Sequence, residues 1–130
     1  MSKRILRIGI ASKKFIHKRM LDIAKGAHRP AADEPRVWFT SAEAMARVLS
    51  TKNMMLIEMI RDMHPASVTE LADKVGRAKS NVLRSLKTLR QFDIVEFEDG
   101  RHGRKAPRVN YDDFRVSGQL GVPSSDKEAA

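Results

Sequence analysis

Apolar residues along this chain mostly recur at intervals of three and four, and in shorter stretches at intervals of two. Helices are therefore expected to dominate, with brief strands. Residues 3–10 read as a short strand through the β-branched Ile5, Ile8 and Ile10, although Leu6 spoils strict alternation and Gly9 weakens the interior. Ser12 can cap a helix running to about Lys25, with Phe15, Ile16, Met20, Ile23 and Ala24 in one apolar stripe and Gly26 as its stop. From Gly26 to Pro35 the composition is that of a linker. Val37-Trp38-Phe39 is a brief apolar segment that can anchor it, with Trp38 expected in the core.

Farther on, Thr40 with Glu43 matches a capping box for a helix over about 41–50. Leu56, Ile57, Met59, Ile60 and Met63 predict a helix over about 52–63, which Pro65 closes. Its methionines suit an adaptable packing surface better than a cofactor box. Ser67 and Glu70 form a second capping box that opens a helix over Val68–Val75, with Leu71, Ala72 and Val75 inside and Gly76 fit for the left-handed residue that ends it. A further helix starts at Ser80 or Asn81 and runs to about Phe92. Two helices joined by so short a turn have the spacing of a helix-turn-helix.

In the second of these helices Val82, Leu83, Leu86 and Leu89 share one side, while Asn81, Arg84, Ser85 and Thr88 share the other, flanked by Lys87. Asn can pair with adenine, Arg with guanine, and Ser, Thr and Lys with base edges or phosphates, which is the chemistry of a major-groove reader. A merely solvated helix face would carry similar residues. The segment C-terminal to this helix separates the two readings. Ile94-Val95-Glu96-Phe97 alternates like a strand, Asp99-Gly100 signals a turn, and Pro107 to Tyr111 can return as a second strand. Between them lies the basic tip Arg101-His102-Gly103-Arg104-Lys105. A cationic hairpin directly after a recognition helix is a wing, able to enter a minor groove or grip its phosphates; the bland alternative is an exposed loop. The candidate DNA-binding residues are Arg77, Lys79, Ser80, Asn81, Arg84, Ser85, Lys87, Thr88, Arg101, His102, Arg104 and Lys105.

Charge strengthens this picture. The 130 residues carry a net charge of +9, with ten basic against three acidic residues in 1–40 and nine against four in 76–110. Two basic blocks favour a polyanionic partner, since each phosphate contact releases condensed counterions. The chain has no cysteine, which excludes disulfides, thiolate metal sites and a cysteine nucleophile. His17, His28, His64 and His102 lack ligand spacing, and Gly76-Arg77-Ala78-Lys79-Ser80 lacks the glycines of a phosphate loop. Neither an enzyme nor a cofactor is expected. No apolar run approaches a membrane span, and Lys3, Arg4 and Arg7 break the N-terminus before a signal-like stretch develops, so a cytoplasmic protein without a membrane partner is expected.

At these residues the chain resembles a known family. Ser67-Val68-Thr69-Glu70-Leu71-Ala72, Ser80-Asn81-Val82, Leu86-Lys87-Thr88-Leu89 and Phe92-Asp93-Ile94-Val95-Glu96 look like the winged helix of MarR-like transcription regulators, over about residues 51–111. The basic N-terminal arm, Val37-Trp38-Phe39-Thr40-Ser41 and Arg104-Lys105-Ala106-Pro107-Arg108-Val109 are similar to a small subgroup of them, some of which are antitoxins. One departure is Phe92-Asp93, where such domains often carry a glycine near the helix end. The resemblance implies double-stranded DNA binding, autoregulation and neutralisation of a cognate toxin.

The expected fold is α+β: a mainly helical winged helix-turn-helix with a C-terminal β-hairpin wing and an N-terminal strand-helix arm. Residues 1–36 form the basic arm and linker, 37–114 the winged helix-turn-helix, and 115–130 a flexible tail, irregular from about Ser117. The arm's apolar stripe has three readings: extra phosphate contacts beside it, docking of a second subunit or an acidic partner protein, or packing on its own core. A transcription regulator binding a pseudo-palindromic site as a homodimer is the leading functional reading. An interaction protein that mainly occludes a toxin is the alternative. RNA binding is disfavoured by five Phe, one Trp and one Tyr, too few aromatics for base stacking.

Overall fold

The computed structural model describes residues 4–121, and of Arg101 only the backbone. The chain is α+β, with five α-helices and two small sheets among the described residues. It divides into two compact units. One, the hairpin unit, holds Arg4 and Ala46–Asp112; the other, the sheet unit, holds Ile5–Met45 and the residues from Asp113 on. The contacts therefore do not divide the chain at the expected boundaries after residues 36 and 114.

In the sheet unit, β1 (Ile5–Ile10) lies between β2 (Val37–Phe39) and β5 (Asp113–Gly118), and both neighbours run parallel to it. Parallel strands need a long crossover. Here it is α1 (Lys13–Ala24), capped by Ser12, whose hydroxyl accepts from the Phe15 amide at 3.1 Å, and the connector after it. The expected anchor Val37-Trp38-Phe39 is thus a true strand, paired to Ile8–Ile10. Leu6, Ile8, Val37 and Phe39 are buried on one face. On the other, Trp38 is half-buried rather than fully in the core, because its ring lies over Gly9. A Cβ on Gly9 would sit 2.3 Å from Trp38 Cζ3, so the missing side chain there makes room for the indole.

One expectation fails in this unit, and one of the three readings of the α1 stripe loses its support. Residues 113–118 form a six-residue strand, so the chain is not irregular from Ser117 and the expected tail beginning at 115 starts inside a strand; its part beyond 121 lies outside the described residues. The apolar stripe of α1 also does not pack into a closed core. No residue of α1 is buried, and Phe15, Met20, Leu21 and Ile23 are all exposed. The helix is held through Phe15, whose ring is 5.5 Å from that of Trp38, and Arg19, whose guanidinium lies 5.2 Å over the indole. Glu34 binds both Arg19 and His28, and these two partners hold its carboxyl down at about pKa 2, the His28 hydrogen bond contributing most.

Helix α2 (Ala42–Val48) begins in the sheet unit and, from Ala46 on, opens the hairpin unit. Its cap is Ser41, accepting from the Ala44 amide at 3.0 Å, one residue later than the expected Thr40. Next come α3 (Thr51–Met63), α4 (Val68–Val75), α5 (Lys79–Gln91) and the antiparallel hairpin of β3 (Val95–Asp99) and β4 (Lys105–Val109). Leu56 and Ile60 of α3, Leu71 and Ala72 of α4, and Val82, Leu86 and Leu89 of α5 are buried together with Ile94 and Val95. Each of these Leu, Ile and Val side chains taken from water contributes about 1.5–3 kcal/mol before entropy is counted.

Candidate nucleic-acid interface

Helix α4 begins and ends as its sequence requires. Ser67 Oγ accepts from the Glu70 amide at 3.1 Å, and the Glu70 carboxylate reaches back to the Ala66 amide at 2.9 Å. Gly76, at φ 70°, takes the left-handed position, and its amide and that of Arg77 both close on the Ala72 carbonyl. Only Gly76, Arg77 and Ala78 separate α4 from α5. Helix α5 starts at Lys79, earlier than the expected Ser80 or Asn81, and Ala78 at its N-cap supplies no side-chain hydrogen bond. Ser80 is therefore in the first turn, where its side chain is exposed, and does not serve as the cap.

Along α5, Val82, Leu86 and Leu89 are completely buried and Leu83 is half-buried. Lys79, Ser80, Asn81, Arg84 and Lys87 are exposed. Arg84 stands almost opposite the buried stripe, which gives it the most outward position. Ser85 and Thr88 depart from the expected fully outward face: both are half-buried. Ser85 lies about 40° around the helix from Leu89, and its hydroxyl accepts from Arg77 Nη2 at 3.3 Å, tying the turn to the helix. Thr88 donates its hydroxyl to the Arg84 carbonyl at 3.2 Å, one turn back. The structure thus brings Arg77 and Ser85 together and leaves Asn81, Arg84 and Lys87 presented to solvent.

The end of α5 explains its unusual sequence. Asp93 adopts φ 61°, the left-handed residue for which glycine is commoner, and the Ile94 amide closes on the Leu89 carbonyl at 3.0 Å. Asn110 Nδ2 donates to the Asp93 carbonyl at 3.0 Å, so β4's exit holds the helix end in place.

At the hairpin, the loop runs from Gly100 to Arg104 and contains a 3-10 turn, Arg101–Gly103, with His102 and Gly103 both at positive φ. His102 and Arg104 are exposed. Lys105, expected in the basic tip, is instead the first residue of β4 and pairs with Asp99 across the ladder. That contact lowers the Asp99 pKa, first through the hydrogen bond and then through the ammonium charge. Sequence reasoning missed Arg108. Its Nη1 donates to the Pro65 carbonyl at 2.7 Å and its Nε to Glu98 at 2.7 Å, fastening the hairpin to the entrance of α4. Period-2 spacing puts Arg108 on the same face of β4 as the buried Ala106, and no local signal names its partners, which lie 10 and 43 residues away. Gly100 lies close to the same entrance, since a Cβ there would be 3.1 Å from the Ala66 carbonyl.

The geometry defines a protein with two short, turn-linked helices, the second exposing a polar and cationic face, followed by a hairpin anchored to the first. Residues 48–116 match the HVO_A0114 family, and the chain belongs to it. Neither a curated protein nor a solved structure matches the chain. Among the described residues no helix is long and apolar enough to cross a membrane, and no cluster of His, Asp and Glu has the geometry to hold a metal ion.

Proposed function

We propose that this chain is a non-enzymatic, sequence-specific regulator of transcription that binds double-stranded DNA through a MarR-like winged helix-turn-helix. Helix α5 enters the major groove, Arg84 and Asn81 read base edges, Lys79, Ser80 and Lys87 meet phosphates, and His102 and Arg104 of the wing reach the adjacent backbone. One observation carries this reading: Asn81, Arg84 and Lys87 are exposed on a helix whose opposite side, Val82, Leu86 and Leu89, is completely buried. Binding as a homodimer would place two such helices on a pseudo-palindromic site.

Selection from a random duplex library, followed by binding measurements on variants, tests it. Arg84→Ala should relax base preference at a cost of about 1–3 kcal/mol for the selected site, while Arg104→Ala should weaken all sequences alike and reduce the salt slope by about one. If both variants bind duplexes as the parent does, the reading fails. The exposed Phe15, Met20, Leu21 and Ile23 of α1 favour a second task, docking and neutralising a cognate toxin protein. A stoichiometric partner copurifying with the chain, and lost on Met20→Glu, would support it; purification of the chain alone from its native cells would not.

A further inference from the structure

We infer that the outer edge of β5 is the docking surface for a second copy of this chain, which pairs with it antiparallel to make one six-stranded sheet in the order β2-β1-β5-β5-β1-β2. Among the described residues no strand lies on the outer side of β5. The strand is regular over six residues, paired to β1 without a bulge, and contains neither proline nor lysine. Its two charges, Asp113 and Arg115, are of opposite sign and so do not by themselves repel a second copy of the edge. Its apolar face is also cut open there. The register sets Leu6 beside Phe114 and Ile8 beside Val116 on one face; Leu6 and Ile8 are 3% and 0% exposed, but Phe114 and Val116 are 40% and 41% exposed. A buried face that stops abruptly at an edge is what a second sheet edge would complete.

Charge selects this chain as its own partner. A two-fold axis through the sheet keeps like faces together, so self-pairing must centre on a single residue. Centred on Phe114, the two rings meet and Asp113 of each copy stands opposite Arg115 of the other. Centred on Arg115, two guanidiniums would oppose each other, and centred on Val116, each Phe114 would face a glycine. Within one copy Arg115 Nη2 and Asp113 Oδ2 are 3.9 Å apart, already on the same face and able to exchange partners across the axis. The pairing about Phe114 is therefore the self-complementary one.

The inference does not depend on DNA binding, and its test is made without DNA. Light scattering on the full chain over a concentration series should show a particle of twice 14.7 kDa. Asp113→Arg gives two basic residues on the edge and Arg115→Asp two acidic ones, so each variant alone should raise the dimer dissociation constant at least about tenfold. Mixing the two variants should restore dimers, now heterodimers, because each new charge meets its opposite. Far-ultraviolet circular dichroism and Trp38 fluorescence check that each variant is folded, and Phe114→Lys, which sets two ammonium groups against each other at the axis, replaces either one that is not. A parent chain that stays monomeric, variants that dimerise as the parent does, or separate variants that fail to recombine would each overturn the pairing.

Discussion

The hairpin unit and the sheet unit draw on the same kinds of residue but close themselves in different ways. In the hairpin unit, elements that pack together follow one another in sequence, each opened or closed by a residue with a local reason to be there: Ser50, Ser67, Gly76, Asp93. Leu56, Ile60, Leu71, Val82, Leu86 and Leu89 are each at most 1% exposed, although Met55 on the outer side of α3 is 60% exposed. In the sheet unit the central strand is paired on one side to residues about thirty positions on and on the other to residues 108 positions on, Ile5 standing beside Asp113. Its helix buries none of its residues. One unit is specified by neighbours along the chain and sealed; the other is assembled from distant pieces and left partly open.

Truncations can break that contrast. Leu86→Ala, in the sealed unit, should cost about 2–5 kcal/mol in urea unfolding, whereas Met20→Ala, 63% exposed on α1, should change stability by less than about 0.5 kcal/mol. Equal costs would mean that α1 is as well packed as α5. A smaller effect than that of Leu86 is expected at the close approach of β1 to β2. Gly9→Ala must displace the indole of Trp38 and should cost about 1–3 kcal/mol, with a shift in the emission of the only tryptophan. An unchanged spectrum would disprove the overlay of ring and glycine.

Smaller still is Asp93→Gly, which relieves a left-handed non-glycine residue and should stabilise by up to about 1 kcal/mol. The Asn110 bond to the backbone carbonyl survives the change, and only the 3.4 Å contact from the Tyr111 hydroxyl to the carboxylate is lost. A measured destabilisation would show that this contact outweighs the backbone strain. Least in magnitude is the acid response of Glu34. Its pKa is lowered from 4.5 to about 2, so its tie to His28 and Arg19 is complete above 4.5 and fades as the pH falls towards 2. Trp38 emission, sensing Arg19, should change across that interval, and Glu34→Gln should abolish the change; a persistent transition would assign it to another group.

Much of the hairpin unit is legible in the sequence because its signals are short-range. Capping pairs, a left-handed glycine and an apolar stripe in α5 act within a turn or two. The departures there are subtler: α5 begins early because Ala78 can start a helix without a side-chain cap, and Lys105 leaves the tip because Asp99 faces it across the ladder. The sheet unit is harder to read. Phe114, Arg115, Val116 and Ser117 alternate like a strand, but they are followed by Gly118, Gly121 and Pro123, which read as irregular chain. Nothing within reach of that segment names β1 as its neighbour. Of the candidate contacts, the outward Asn81, Arg84 and Lys87 come directly from helical spacing, and so does the inward lean of Ser85, about 40° from Leu89; only its bond to Arg77, eight residues away, does not.

Because β1 is made first and its neighbour β5 only after a further hundred residues, the ribosome releases the two halves of that pairing far apart in time. While residues 46–112 are emerging, β1 has only β2 beside it, and its second flank must wait for residues 113–118. A nascent chain is therefore most open to mispairing with other nascent chains during that interval, at the strand whose Leu6 and Ile8 are almost wholly covered when the molecule is finished.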